Sequence, residues 1–325
     1  MKGRHAVLWF IAIGAASATP ALRVLGHDLR ATQGQGAVFR SGADLVTVDV
    51  AVRRGGRPVS GLGIHEFDVI DNGVVQQVAE MSYEKLPIDV TMALDVSESV
   101  TGALLDRLRR GVQQLVTDLG AHDRLKLMTF NMRVRRAMDF GKPASSTDAA
   151  FGKIAAFGST AAFDTLAVAL STAAPPDRRQ LIVLFSDGHD TSSITDPATL
   201  IDVAHRTTAT LGFVLPLVAP LIPSALPEMT PGSPTVTIAR SLAGMDVAIP
   251  AIYSHLAMET GGVVVRALPG DNLSTTFKRI LDEFRSSYVL HFTPRGVERS
   301  GVHTLDVRVK RSGVDVRARK TYVWR

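Results

Sequence analysis

Asp95-Val96-Ser97-Glu98-Ser99 sets one carboxylate and two hydroxyls at alternate positions, with Glu98 out of phase between them. At the C-terminal end of a buried strand, such groups can converge on one small hard cation. Two other segments carry compatible donors: Thr160 in Gly158-Ser159-Thr160, and Asp187 in Ser186-Asp187-Gly188. Hydroxyls with few carboxylates suit Mg²⁺, with Mn²⁺ or Ca²⁺ as alternatives, since Mg²⁺ takes octahedral oxygen coordination and releases its waters reluctantly. The absence of cysteine and of paired histidine ligands argues against zinc. Two carboxylates and three hydroxyls leave a divalent ion only about neutralised, so an outside Asp or Glu remains a favourable ligand. That is a device for recognition by coordination, without chemical change. Each residue also has a plainer reading. Asp95, Ser97 and Ser99 would cap a helix after Gly102, Thr160 would cap one near Phe163, and Asp187 would form a simple turn with Gly188. Asp164 either caps its own helix or supports the site, while His189 and Asp190 read as rim residues.

These groups need a scaffold that brings distant segments to one edge. Ile88–Leu94 and Leu181–Phe185 are continuous apolar runs of strand length, and Leu125–Phe130 is a third. Leu104, Leu105, Leu108, Val112, Leu115, Val116 and Leu119 recur at helical spacing. Helices are also expected around 146–157, 163–173, 196–206, 252–259 and 273–284, with strands at 133–138, 208–218, 263–265 and 288–292. Alternation of this kind predicts an α/β fold with a doubly wound, mostly parallel sheet and helices on both faces. Ligands of such sheets bind outside the carboxyl ends of the strands, where Asp95 and Asp187 both fall. Residues 44–85 form a small β unit: Leu45–Val52 alternates, and Asn72-Gly73 marks a hairpin returning through 74–82. Residues 302–323 regain the period of two across a turn at Ser312-Gly313, predicting a second hairpin that pairs with the first unit as a small β module. The expected organisation is therefore a signal peptide at 1–18, a linker at 19–43, the β unit at 44–85, the α/β domain at 86–293 and the C-terminal hairpin at 294–325. Six prolines within 219–250 mark an insert in the α/β domain.

In order and approximate spacing, Asp95-x-Ser97-x-Ser99, Thr160 and Ser186-Asp187-Gly188 resemble the metal-ion-dependent adhesion site of von Willebrand factor A domains. The flanks strengthen the likeness to a bacterial group of such proteins. Val48-Asp49-Val50, Gly61-Leu62, Phe67, Asp71-Asn72-Gly73 and Gln76 lie on one side. Tyr288-Val289-Leu290, Gly301, His303-Thr304-Leu305 and Arg317-Ala318-Arg319 lie on the other. The resemblance covers roughly residues 44–323 and implies a von Willebrand factor A, Rossmann-like fold. It implies that Ser97, Ser99 and Thr160 ligate Mg²⁺ directly, while Asp95 and Asp187 act largely through water. The implied function is non-enzymatic binding of a protein partner that presents an Asp or Glu carboxylate. A metal-dependent hydrolase using His189 or Asp190 as base is the alternative, but a phosphate loop, a nucleophile elbow and a two-metal carboxylate cluster are all missing from the sequence. A structural module with a vestigial metal site is the third reading.

Composition limits the setting. The chain has 325 residues, 46% apolar and 21% charged, with a formal net charge of +5. Lys2 and Arg4 precede the apolar run Ala6–Gly14 and the small residues Ala16-Ser17-Ala18, the pattern of a secretory signal peptide. Removing 1–18 takes away those two cations, so +5 becomes +3. The run is shorter than the roughly 20 residues of a spanning helix, so no stable membrane span is expected after cleavage. Export to the periplasm or the exterior is expected. Nucleic-acid binding is not supported, because no basic motif interleaved with aromatics appears.

Overall fold

A computed structural model describes residues 45–83, 86–141, 154–173, 175, 177–217 and 250–324. The expected signal peptide and linker, residues 146–153 of the expected helix at 146–157, and the insert before Pro250 lie outside these residues.

In chain order, Val46–Arg54 (β1), Arg57–Pro58 (β2), Phe67–Asp71 (β3), Val74–Gln76 (β4) and Val78–Tyr83 (β5) precede Ile88–Asp95 (β6) and the helix Gly102–Asp118 (α1). Arg124–Phe130 (β7), Val134–Gly141 (β8), Ala162–Leu170 (α2), Arg179–Phe185 (β9), Pro197–His205 (α3) and Thr210–Pro216 (β10) follow. The chain ends with Ala251–Thr260 (α4), Val263–Ala267 (β11), Leu273–Arg285 (α5), Tyr288–Phe292 (β12), Gly301–Val309 (β13), Asp315–Ala318 (β14) and Thr321–Trp324 (β15).

One sheet has the order β11-β10-β9-β6-β7-β8, parallel throughout except for the antiparallel β7–β8 pair. Counted along the chain this is the doubly wound order 3-2-1-4-5-6, and it reverses between β6 and β9. β6 is buried along its whole length because both its faces are covered. Val90, Met92 and Leu94 point to one face with α1 and α5, packing on Leu108, Val112, Phe277 and Ile280. Ala93, Ile182, Leu184 and Phe213 point to the other, against Leu166 of α2, Leu200 of α3 and Leu256 of α4. A mostly parallel α/β sheet with helices on both faces is thus present as expected. Among the described residues, no helix is long and apolar enough to cross a membrane.

The flanking strands build a two-sheet module with a core of its own. One sheet has the order β14-β1-β12-β5 with β2 beside β1, and the other the order β15-β13-β3-β4. Val48, Val50, Val69, Tyr288, Leu290, Leu305 and Trp324 share the space between them. The Asn72-Gly73 hairpin forms, with φ of 46° and 83° at the two turn residues, the left-handed pair a two-residue turn requires.

Four expectations are corrected by the structure. β12, placed by its chain position at the end of the parallel sheet, pairs antiparallel with β1 and β5 instead. The returning strand 74–82 breaks at Gln77 into β4 and β5, which belong to different sheets. Buried Gln76 explains the break: its amide donates to the Arg295 carbonyl (3.0 Å) and accepts from the Arg295 amide (2.8 Å), turning its strand toward that segment. The C-terminal strands on either side of Ser312-Gly313 do not pair with each other. β13 joins β3, and β14 joins β1. The segment 154–157, expected to close a helix, is not helical.

Arg179, at the start of β9, fastens the two cores together. It is buried, and its Nε donates to Asp49 of β1 at 2.7 Å. One Nη donates to the Phe284 carbonyl at 2.7 Å, and the guanidinium lies 4.0 Å from the Phe284 ring centre. Arg179→Met would leave the Asp49 carboxylate and the last carbonyls of α5 without this donor. The expected loss is about 3 kcal/mol, the lower end for breaking a buried pair. It should appear as a reduced urea midpoint at unchanged m-value.

Candidate metal centre

β6 carries a buried aspartate at each end, and the two are treated differently. Asp89, at the N-terminal end, is 1% exposed and paired with both Arg124 and Arg178. Asp95, at the C-terminal end, is 0% exposed, and among the described residues no cation pairs with it. Its Oδ1 accepts from the Ser97 amide at 2.8 Å, and its Oδ2 from the Ser186 hydroxyl at 2.7 Å. Ser186 is held in turn, its Oγ accepting from the Gly188 amide at 3.2 Å. These bonds orient the carboxylate without neutralising it.

The predicted residues sit on three loops that the backbone ties together. The loop after β6 bonds to the segment before α2, with Phe157 donating to the Val96 carbonyl (3.0 Å) and Glu98 to the Gly158 carbonyl (3.1 Å). That segment bonds to the loop after β9, where the Thr191 and Ser192 amides both donate to the Thr160 carbonyl, at 2.8 and 3.0 Å. The Thr160 amide donates back to Thr191 Oγ1 at 2.9 Å. Ala161 is anchored to the end of β7 through the Asn131 carbonyl at 2.8 Å. Ser97 and Thr160 are buried, Ser99 and Asp187 are half-buried, and Glu98 is exposed.

For Asp95, Ser97, Ser99 and Thr160 the plainer readings meet specific obstacles. The N-cap of α1 is Thr101, with no side-chain cap bond, so Asp95, Ser97 and Ser99 do not cap it. The N-cap of α2 is Ala161, also without a side-chain bond. The Phe163 amide is satisfied by Asp190 Oδ2 at 2.8 Å, not by Thr160. Asp187 does order the expected turn, its Oδ1 accepting from the His189 amide at 3.0 Å.

The donor set fits a small hard cation. Ser97 Oγ and Ser99 Oγ lie 3.2 Å apart, near the roughly 3 Å edge between neighbouring oxygens of an octahedron with Mg²⁺ bond lengths. Among the described residues, no three His, Cys, Asp or Glu side chains are placed to hold a metal. Any cation here would therefore rely on the hydroxyls.

The residues around the expected ligands take supporting roles, and of these only Tyr253 carried no signal in the sequence. Ser186 orients Asp95 through the fold alone. Asp190 accepts from the Phe163 amide and from both the amide and hydroxyl of Ser193, so it braces the loop. Asp164 accepts from the Ile194 and Thr195 amides, bracing the same loop further along. Tyr253 of α4 is fully buried behind the site. Burial, then the charges of Asp190, Asp95 and Asp187, hold its phenol above the ordinary range.

In the metal-free protein, burial raises the Asp95 carboxyl to about 6, the nearby Asp187 charge adds to the rise, and the Ser97 and Ser186 bonds oppose it. A folded value above the unfolded one gives stability that is present below about pH 4 and lost as pH rises through about 6. In EDTA, Asp95→Asn should therefore be more stable than the parent at pH 7, by about 3 kcal/mol. The advantage should vanish near pH 4. Urea denaturation from pH 4 to 8 checks this, and a difference that does not vary with pH contradicts it.

Residues 89–239 match the family model of the von Willebrand factor type A domain, a span that contains every predicted site residue. Three solved structures are similar. A von Willebrand factor type A protein from Catenulispora acidiphila is 12% identical, covering 88% of this chain and 75% of that one, with a TM-score of 0.45. An aerotolerance-related membrane protein from Bacteroides fragilis, with multiple mutations to serines, is 18% identical over 61% of this chain and 98% of that one, with a TM-score of 0.42. The PilB minor pilin from Streptococcus sanguinis is 13% identical over 62% of each chain, also with a TM-score of 0.42.

Proposed function

The chain carries a von Willebrand factor type A domain at residues 89–239, and on that premise we propose that it is an exported, non-enzymatic binding protein with a divalent-cation adhesion site. Ser97, Ser99 and Thr160 hold Mg²⁺ by their hydroxyls, and Asp95 and Asp187 act through bound water. Mn²⁺ or Ca²⁺ could occupy the same oxygens. Held there, the ion would let the site bind an Asp or Glu carboxylate of a partner protein.

The observation that carries this reading is the contrast along β6. A buried carboxylate without a cation is costly, and Asp89 avoids that cost with two arginines. Asp95 is equally buried, but among the described residues it faces hydroxyl and amide dipoles, with Asp187 as its charged neighbour. A divalent cation supplies the missing charge. Two carboxylates are then just enough to neutralise it, which keeps it attractive to a third. Of the two bases a hydrolase would use, Asp190 is committed to three hydrogen bonds, which supports binding over hydrolysis. The N-terminal Lys2, Arg4 and apolar run support export to the periplasm or beyond.

Mg²⁺ should raise the thermal midpoint in proportion to the logarithm of its concentration once it exceeds the dissociation constant. The gain is about 2.7 kcal/mol at a hundredfold excess over that constant. Ser97→Ala and Thr160→Ala should fold and lose most of this gain, with calorimetry reading the weakened affinity directly. Envelope proteins retained by the immobilised chain in Mg²⁺ should be released by EDTA and not captured by Ser97→Ala. A thermal midpoint indifferent to Mg²⁺, Mn²⁺ and Ca²⁺ at millimolar levels would rule the reading out.

A further inference from the structure

A cleft of about 750 Å³ lies away from Asp95, along the edge of β11 that no strand covers among the described residues. Gly262, Val263, Val264 and Val265 line it in succession. Successive residues of a strand face opposite ways, so the cleft runs along the strand's edge and not over one face. Met258 of α4 bounds it on one face of the sheet, and Arg279 and Glu283 of α5 bound it on the other. Its far wall is Val316, Arg317 and Ala318 of β14, the edge strand of the neighbouring sheet. Two strand edges thus face one cavity. They meet at Gly261, where an added Cβ would fall 2.7 Å from the Arg319 amide nitrogen.

The charge of this cleft is one-sided. Arg53, Arg279, Arg317 and Lys320 line it against a single carboxylate, Glu283. Glu283 is shared between Arg53, at 3.3 Å, and Arg317. Arg279 and Lys320 are exposed, and Arg279 makes no ion pair among the described residues. Burial, then repulsion from Arg53, lowers the Arg317 guanidinium to about 10, and burial, then repulsion from Arg279, lowers that of Arg53. An edge strand presents unpaired N–H and C=O groups, and an extended peptide that adds to it gains main-chain bonds while its alternate side chains select the sequence.

We propose that this cleft is a second binding site, which takes an extended acidic peptide segment by strand addition to β11. Alternate carboxylates of the peptide meet Arg279, Arg317, Arg53 and Lys320, and the intervening apolar residues pack on Met258 and the β11 valines. The site needs no metal and is independent of Asp95.

The probe is a labelled peptide of alternating Glu and Val, titrated against the full chain by fluorescence anisotropy in EDTA. Saturable binding is expected, weakening with salt, with Asp95→Asn binding as well as the parent. Arg279→Glu with Lys320→Glu changes two exposed side chains and should cut affinity about tenfold or more, as loss of interfacial charge pairs does. The same peptide with alternate amides N-methylated keeps its charges but cannot pair, and should lose binding. Equal binding of a Lys-Val peptide, indifference to the charge reversals, or retained binding of the N-methylated peptide would each overturn the proposal. So would equally effective competition by free glutamate or inorganic phosphate, which would make the cleft a small-anion pocket.

Discussion

The burial of Asp95 at the carboxyl end of the central strand organises much of this molecule. Placing a carboxylate there without a cationic partner works against stability, because desolvation of the charge is not repaid by two hydrogen bonds. Those bonds, from the Ser97 amide and the Ser186 hydroxyl, come from the two loops on either side of the sheet's reversal. They fix the orientation of the carboxylate while leaving its charge. The surrounding loops are laced together by bonds through Phe157, Glu98, Thr160 and Thr191.

That placement follows from topology. In a doubly wound sheet, the loops leaving two adjacent strands at the reversal point diverge to opposite faces and open a crevice between them. Here those strands are β6 and β9, and their loops carry Asp95 to Ser99 and Ser186 to Asp190. The third loop is brought in by the anchoring of Ala161 to Asn131 at the end of β7. The opposite end of β6 is closed instead, with Asp89 clamped by Arg124 and Arg178. One strand therefore has a structural pole and a chemically open one.

The β module is more than an appendage to this sheet. Arg179 and Asp49 join β9 to β1 through a largely buried pair, and Gly262 allows the turn before β11 to press on β10. An added Cβ there would lie 1.7 Å from the Leu211 carbonyl oxygen. Gly261 makes the equivalent approach to the end of β14, where an added Cβ would lie 2.8 Å from the Ala318 carbonyl carbon.

Much of the α/β scaffold and all of the proposed metal donors were legible in the chain. Apolar runs and helical spacing are local properties, and they survive in β6, β9, α1 and α5 because burial on those faces is what the pattern encodes. The Asn72-Gly73 turn was equally legible, since its backbone geometry depends on two residues. Strand partnership was not. β12 reads the same whether it joins a parallel sheet or the β module, and β13 and β14 look like one hairpin until each pairs elsewhere. A strand's alternation states which of its faces is buried, while its neighbour is chosen by contacts far away in sequence. The roles of Ser186 and Tyr253 were hidden for the same reason: their importance lies in what they lie beside, Asp95 above all. Residue types determined which chemistry was available. Only tertiary packing decided that, of the two buried aspartates of its strand, Asp89 would meet two arginines while Asp95 meets no cation among the described residues.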